Sequence, residues 1–190
     1  KNANDTNFDM ATVDDAILSA ESTVKVLLGL DPDVDINQDF IENQDASIGK
    51  SISKLQVFIQ TMASFGGLSS DEVLQGIVTE SVSDQSLSLF SDNAATETVY
   101  VSITNDTSAD TTALGGYISS VNALIDDVGK DTADTNTDFE SIFTLATQLR
   151  VAAAEIASDS NFADQLSDTG NILLSNVTDA AENVQIGTIS

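Results

Sequence analysis

A stretch of acidic residues between Asp31 and Glu42 holds the side chains with the clearest chemical meaning. Its sequence, DPDVDINQDFIE, has five oxygen-bearing side chains at alternate positions from 31 to 39 and ends on a glutamate. In calcium-binding loops of this length, positions 1, 3, 5, 7, 9 and 12 supply the oxygen ligands. The residues at those positions are Asp31, Asp33, Asp35, Asn37, Asp39 and Glu42. The spacing therefore predicts a calcium site formed by these residues.

Two residues depart from the usual calcium loop. Position 6 normally holds a glycine that takes a sharp turn, and this chain has Ile36 there, with Pro32 just inside the loop. The alternative to a calcium site is a solvated acidic connection between two helices. The same two alternatives apply to a second cluster around Gly129, where the solvated connection is favoured because aspartates cap helices; its members are Asp126, Asp127, Asp131 and Asp134.

The side chains that the sequence lacks limit the possible chemistry. It contains no histidine and no cysteine, which excludes serine–histidine pairs, thiolate nucleophiles and the usual zinc ligands. A pair of carboxylates acting as a glycosidase remains an alternative. Such a site would need an aromatic-lined groove, whereas the chain has no tryptophan and only Tyr100 and Tyr117 as tyrosines. We expect a protein that is not an enzyme.

Charge indicates which partners suit the chain. Six basic residues against 31 acidic ones give a formal net charge of −25. A polyanion gains nothing by releasing counterions to another polyanion, so nucleic acid and anionic membranes are poor partners. No run of apolar residues is long enough to span a bilayer, so we expect no membrane insertion. Divalent cations suit such a surface, although the charge would also serve solubility alone.

Apolar spacing predicts helices along most of the chain. Steps of three and four residues mark the first helix, which should end at Gly29, and a second helix that should end at Gly66. A third helix should open at Ser69 with acidic groups in its first turn. The apolar residues that define the first two helices are Ile17, Ala20, Val24 and Leu27, and then Ile48, Ile52, Leu55, Ile59 and Met62.

The second half returns to helical spacing after a central segment of different character. Val99, Val101 and Ile103 alternate with more polar neighbours, which predicts a short strand. The tail, with apolar residues at 184, 186 and 189, is the only other candidate strand. The helical spacing after residue 112 runs through Leu114, Ile118, Val121, Ile125 and Val128, then Phe139, Ile142, Ala146, Leu149, Ala153 and Ile156, and finally Phe162, Leu166, Leu173, Val177, Ala180 and Val184.

These elements predict a mainly all-α protein: a bundle of five or six amphipathic helices with at most a small two-stranded ribbon. Residues 1–190 would form a single helical domain. The alternative is two helical halves, residues 1–90 and 112–190, joined by a polar segment with the short strand. The heptad-like steps also resemble a coiled coil, but each runs for only two or three heptads, so a globular core is favoured.

The first third of the chain resembles a helical segment of large bacterial exoproteins. The resemblance rests on the run from Ala20 to Leu30, on Val34-Asp35-Ile36, and on a following helix that contains Leu55-Gln56. The proteins that it resembles are adhesin-like and hemolysin-type calcium-binding surface proteins. What the resemblance implies is secretion, calcium-rich surroundings and a role at the cell surface, without catalysis.

Two functions follow as expectations. The first is a secreted, non-catalytic bacterial surface or extracellular-matrix module that acts in calcium-dependent adhesion. The second is a self-assembling structural subunit of an extracellular filament or layer, with copies of itself or other surface proteins as partners. An exposed edge of the strand at residues 99–103 would favour assembly, because unpaired edges pair with other chains. Burial of the same residues within the domain would favour the module.

Overall fold

A computed structural model of the chain describes residues 10–90, 93–109, 111–128 and 135–157. These residues form six α-helices and no strand, which confirms the all-α prediction. The helices are α1 (Met10–Leu27), α2 (Ala46–Gly66), α3 (Ser70–Ser83), α4 (Asn93–Thr104), α5 (Thr111–Asp127) and α6 (Thr135–Ala157). The helix predicted between residues 162 and 184 and the tail half of the ribbon lie outside the described residues.

Helix α2 lies at the centre of the packing. Its most extensive packing is with α6, and it also packs against α3 and α5, while α4 lies between α3 and α5. Phe58 and Met62 of α2 are fully buried and contribute to a core that includes Val99 of α4, Leu114 of α5 and Ile142 of α6. The core thus draws on residues from both sides of the polar centre; whether the chain is one domain or two stays a prediction.

The ends of α2 and α3 show why the chain turns where it does. Gly67, with a φ of 62°, takes the left-handed conformation that ends many helices, and its N–H donates to the Ala63 carbonyl. Ser69 then starts α3: its hydroxyl accepts from the Glu72 N–H, and the Glu72 carboxylate accepts from the Ser69 N–H. This reciprocal capping box confirms the predicted opening of α3.

The strand prediction at residues 99–103 is wrong, because these residues form the second half of α4. Val99 and Ile103 are four residues apart, so the alternating pattern also places both on one helical face. Val99 is fully buried in the core, and Ile103 packs closely against Gly76 of α3. Tertiary packing on that face overrides the preference of β-branched side chains for strands.

Helix α1 differs from the other helices in its surroundings. The extensive packing between helices involves α2 to α6, and α1 takes no comparable part in it. Its C-terminal end is held, because the Leu27 side chain contacts the core and its carbonyl accepts from the Leu89 N–H at 3.1 Å. Ile17 and Leu18, by contrast, are more than half exposed. Within the described ranges, no helix has the length and apolar character needed to cross a membrane.

Candidate cation site in the acidic loop

The acidic loop begins where α1 ends. Gly29 adopts a φ of 62°, and the Leu30 N–H donates to the Lys25 carbonyl at 2.9 Å, so that the helix closes as the sequence predicts. Lys25 also reaches forward, and its Nζ donates to the Pro32 carbonyl at 2.8 Å. This cation lies at the negative end of the helix dipole, where it is stabilising. The entry to the loop is therefore fixed by α1.

The aspartates of the loop accept hydrogen bonds from nearby backbone N–H groups. Oδ1 of Asp31 accepts from the Asp33 N–H at 2.9 Å, and Oδ1 of Asp35 accepts from the Asn37 N–H at 2.9 Å. Further along, Oδ1 of Asp39 accepts from the N–H groups of Ile41 and Glu42, both at 3.0 Å. These are Asx turns, in which a short acidic side chain stabilises the chain reversal that follows it.

Two amide side chains connect the loop to its flanking helices. Nδ2 of Asn37 donates to Oε1 of Glu21 on α1 at 2.8 Å, and Nε2 of Gln38 donates to Oδ2 of Asp45 at 2.7 Å. The other oxygen of Asp45 accepts from the N–H groups of Ser47 and Ile48, which makes it the N-cap of α2. This role of Asp45 was not predicted, although an aspartate directly before an apolar helical repeat is a typical N-cap signal.

The six predicted ligands are thus placed in one loop, but they do not converge. A calcium ion needs six to eight oxygen atoms at about 2.3–2.6 Å from one point. In the described part of the chain, no group of three acidic side chains is placed to share a metal ion. Asp31, Asp35 and Asp39 each support a separate turn through one carboxylate oxygen, Oδ1. The calcium site stays a prediction.

The second acidic cluster includes a pairing that the sequence analysis did not predict. Asp126 forms an ion pair with Lys54 of α2, with Nζ and Oδ1 at 2.5 Å. Nζ of Lys50 donates to the carbonyl oxygens of Asp126 (2.9 Å) and Val128 (2.6 Å) at the end of α5. Two lysines from α2 therefore supply positive charge where a second cation was considered. Asp131 and Asp134 lie outside the described residues.

Among the described residues, three carboxyl groups have pKa values displaced by their surroundings, all of them downward. Hydrogen bonds from the backbone and hydroxyl of Ser69 lower the pKa of Glu72. Hydrogen bonds from Ser86 lower the pKa of Asp84, and those from Ser108 lower the pKa of Asp106, the hydroxyl contributing most in both. A carboxyl group that a turn or cap holds in its charged form is suited to stabilising the fold. A general acid, by contrast, needs a raised pKa so that it carries a proton to donate.

Surface depressions add little evidence of an enzymatic cleft. One, of about 260 Å³, lies between α3 and α4 and is lined by Glu72, Gln75, Gly76, Thr79, Ser102 and Ile103. Another, of about 150 Å³, lies between α1 and the acidic loop beside Lys25 and Leu30. The two tyrosines are buried in the core, and burial raises the pKa of Tyr117 to about 12. Neither lining includes an aromatic side chain that would stack on a sugar.

Comparison of the chain with models of known protein families, with curated proteins and with solved structures finds no match.

Proposed function

We propose that the chain is a secreted, non-catalytic bacterial surface or extracellular-matrix module that acts in adhesion and depends on calcium. The observation that carries this proposal is where the acidic side chains lie. Among the residues whose side chains the structure describes, no Asp or Glu is buried in the core. Those whose role is visible cap helices, stabilise turns or pair with lysine. The negative charge of these residues is thus displayed on the surface, where cations can bridge it to other surfaces.

The absence of histidine and cysteine throughout the sequence supports a binding role over a catalytic one. The resemblance to giant exoproteins supports the bacterial surface as the location. Exposure of the chain on intact cells of the producing bacterium, measured by external protease treatment and antibody detection, tests this location directly. Complete protection of the chain until the cells are lysed would contradict it.

Calcium dependence is proposed from the spacing between Asp31 and Glu42. Because Ile36 stands where a calcium loop normally has a glycine, we expect weak binding, in the range of about 10⁻⁴ to 10⁻³ M that extracellular calcium modules show. Calcium should also raise the melting temperature by mass action, and chelation should lower it.

Isothermal titration calorimetry of three proteins tests the calcium site. The wild type should bind calcium, and the double variant Asp31→Ala/Glu42→Ala should not. The control, Glu97→Ala/Glu140→Ala, removes two exposed carboxylates from α4 and α6, so that both double variants have the same net charge. Equal loss of binding in both double variants would show that calcium acts only as a diffuse counterion and not at a defined site. If the wild type gives no heat of binding at millimolar calcium, the calcium dependence of the proposed function is contradicted.

The alternative, a subunit of an extracellular filament or layer, needs contacts that do not close on themselves. The feature that favoured it was an exposed strand edge at residues 99–103. Those residues lie in α4, with Val99 and Tyr100 buried. Their burial supports the module.

A further inference from the structure

A narrow groove lies between α1 and the start of the acidic loop. One face of α1 lines it, because Leu18, Ser22 and Lys25 follow one another at steps of four and three residues. Leu30, which is 8% exposed, and Pro32 complete the lining where the helix ends. Leu18 is 62% exposed, so it presents an apolar side chain to solvent beside the groove. No helix of the described ranges packs extensively against α1, and the groove is open to a partner.

The size of the groove limits what it can hold. Its volume is about 150 Å³, whereas pockets for drug-sized ligands span about 300–1,000 Å³. A cavity of about 150 Å³ accommodates a group of the size of benzene, which is comparable to one leucine or phenylalanine side chain. The groove therefore suits a single apolar side chain of a larger partner and is too small for most free ligands.

Carboxylates stand next to the residues that line the groove. Asp15 lies one helical turn before Leu18 on the surface of α1. Asp31 and Asp33 flank Pro32 in the chain, and all three carboxylates are exposed. Negative charge is therefore present at both ends of the groove.

One positive side chain is all that this part of the sequence contains. Residues 10–45 include nine acidic residues and one basic residue, Lys25, so their net charge is −8. The ammonium group of Lys25 is already engaged, because it donates to the Pro32 carbonyl at 2.8 Å. Glu21, which also lines the groove, lies one turn before it on α1. The potential around the groove is therefore negative.

We infer that this groove docks a cationic segment of a partner protein. One apolar side chain of the partner would occupy the groove, and lysines or arginines beside it would face the surrounding carboxylates. Charge complementarity selects such a partner over a second copy of the chain, because two bodies of charge −25 repel each other. The apolar side chain supplies affinity, and the charges supply orientation and a fast encounter.

This docking surface goes beyond the adhesion function, because it needs no calcium. Binding measured in chelator therefore tests it separately: the groove can fail to bind while calcium-dependent attachment to cells holds, and the reverse outcome is equally distinct.

Fluorescence anisotropy of a labelled synthetic peptide in chelator provides the first test. The probe is Lys-Lys-Ala-Leu-Ala-Lys-Lys, compared with a peptide in which serine replaces the leucine and one in which glutamate replaces every lysine. We expect saturable binding of the probe, binding about threefold or more weaker for the serine peptide, and none for the glutamate peptide. Absence of saturable binding of the probe up to about 1 mM would overturn the inference. Equal binding of the probe and the serine peptide would overturn it as well, because only diffuse charge attraction would then be acting.

Two leucine substitutions in the chain locate the apolar contact. Leu18→Ser removes the exposed leucine that lines the groove, whereas Leu74→Ser removes a leucine of α3 that is 45% exposed and lies outside the lining. We expect Leu18→Ser to weaken binding of the probe about threefold or more and Leu74→Ser to leave it nearly unchanged. Equal effects of the two substitutions would place the contact elsewhere and contradict the inference.

Two charge-matched double variants locate the electrostatic contact. Asp15→Asn/Glu21→Gln removes two charges beside the groove, and a glutamine at position 21 can still accept the hydrogen bond that Asn37 donates. Glu97→Gln/Glu140→Gln removes two exposed charges from α4 and α6. The first variant should bind the probe about threefold or more weakly than the wild type, and the second should bind nearly as well as the wild type. If both lose binding equally, the total charge of the chain attracts the peptide and the groove does not.

Ionic strength separates a cationic partner from a second copy of the chain. Raising the salt concentration from about 0.1 to 1 M shortens the Debye length from about 10 to 3 Å, so binding of the probe should weaken. Self-association of the chain through the groove would instead strengthen in salt and would be lost in Leu18→Ser. Sedimentation equilibrium of the wild type and Leu18→Ser at both salt concentrations detects it. Such a dimer, or binding of the probe that salt does not weaken, would overturn the inference.

Discussion

The close approach of α3 and α4 at Gly76 gives the sharpest test of the fold, because it depends on residues 99–103 being helical. A Cβ atom added at Gly76 would lie 2.3 Å from Cγ1 and 2.6 Å from Cδ1 of Ile103. Neither distance is tolerated between real atoms, so the Ile103 side chain or one of the two helices would have to move. Gly76→Ala should therefore overpack this contact, at a cost of about 1–3 kcal/mol.

Helix propensity acts in the opposite direction, and a second glycine measures it. Alanine is more favourable than glycine inside a helix by about 1 kcal/mol. At Gly116 in α5, a new Cβ atom would meet nothing within 4 Å. Gly116→Ala should therefore gain about 1 kcal/mol without a clash. The difference between the two variants isolates the overpacking cost of about 1–3 kcal/mol at Gly76.

Thermal unfolding followed by far-ultraviolet circular dichroism measures this difference. For a chain of about this size, 1 kcal/mol shifts the melting temperature by about 2–4 °C. Gly116→Ala should melt above the wild type, and Gly76→Ala several degrees below Gly116→Ala. In an Ile103→Ala background the Gly76→Ala penalty should largely disappear, because the clashing atoms are gone. If Gly76→Ala stabilises the protein as much as Gly116→Ala does, the packing of α4 on α3 is wrong.

Three further predictions concern polar side chains. Asp45→Ala should lower the free energy of unfolding by about 1 kcal/mol by removing the N-cap of α2, and Asp45→Asn should retain most of it; urea unfolding compares them. Glu72 has a lowered pKa in the folded state, so its capping contribution is present above its unfolded pKa and is lost as pH falls through the folded value. The stability difference between wild type and Glu72→Gln should therefore shrink on acidification, and a constant difference would contradict the capping role. Oγ of Ser53 is buried without a hydrogen-bond partner, so Ser53→Ala should be neutral or stabilising by up to about 1 kcal/mol; marked destabilisation would reveal a hydrogen bond there.

The helices with long, regular apolar spacing were predictable from the sequence. Five apolar residues of α2 repeat at steps of three and four, and the glycine pair after them leaves little doubt about where the helix ends. The opening of α3 was equally clear, because Ser69 and Glu72 have the spacing of a capping box. In both cases the information is local, so a single sequence is sufficient.

Helix α4 could not be predicted in the same way. Three β-branched residues at alternating positions fit a strand and a helix equally well over so short a distance. The choice is made by contacts that are distant in sequence, above all Ile103 against Gly76. The roles of Lys50 and Lys54 at the end of α5 depend on contacts between residues more than 70 positions apart, which spacing cannot reveal.

The acidic loop shows the same limit at the candidate site. Spacing identified the stretch from Asp31 to Glu42, but the same aspartates that would bind calcium are also good turn formers. In the structure, aspartates of this stretch stabilise turns. Asp45, which lies outside the twelve-residue pattern, has a clearer structural role than any of the six, because it is the N-cap of α2. Ile36 occupies the position where a glycine would let a calcium loop turn sharply.

Attachment of the purified chain to intact cells of the organism that produces it tests the proposed function most directly. Fluorescently labelled wild type, Asp31→Ala/Glu42→Ala and the charge-matched Glu97→Ala/Glu140→Ala would be compared in millimolar calcium and in chelator. The account predicts saturable attachment of the wild type and the control in calcium, and its loss in chelator and in the loop variant. Absence of saturable attachment in calcium, or attachment that is the same in all three proteins and in chelator, would contradict calcium-dependent adhesion.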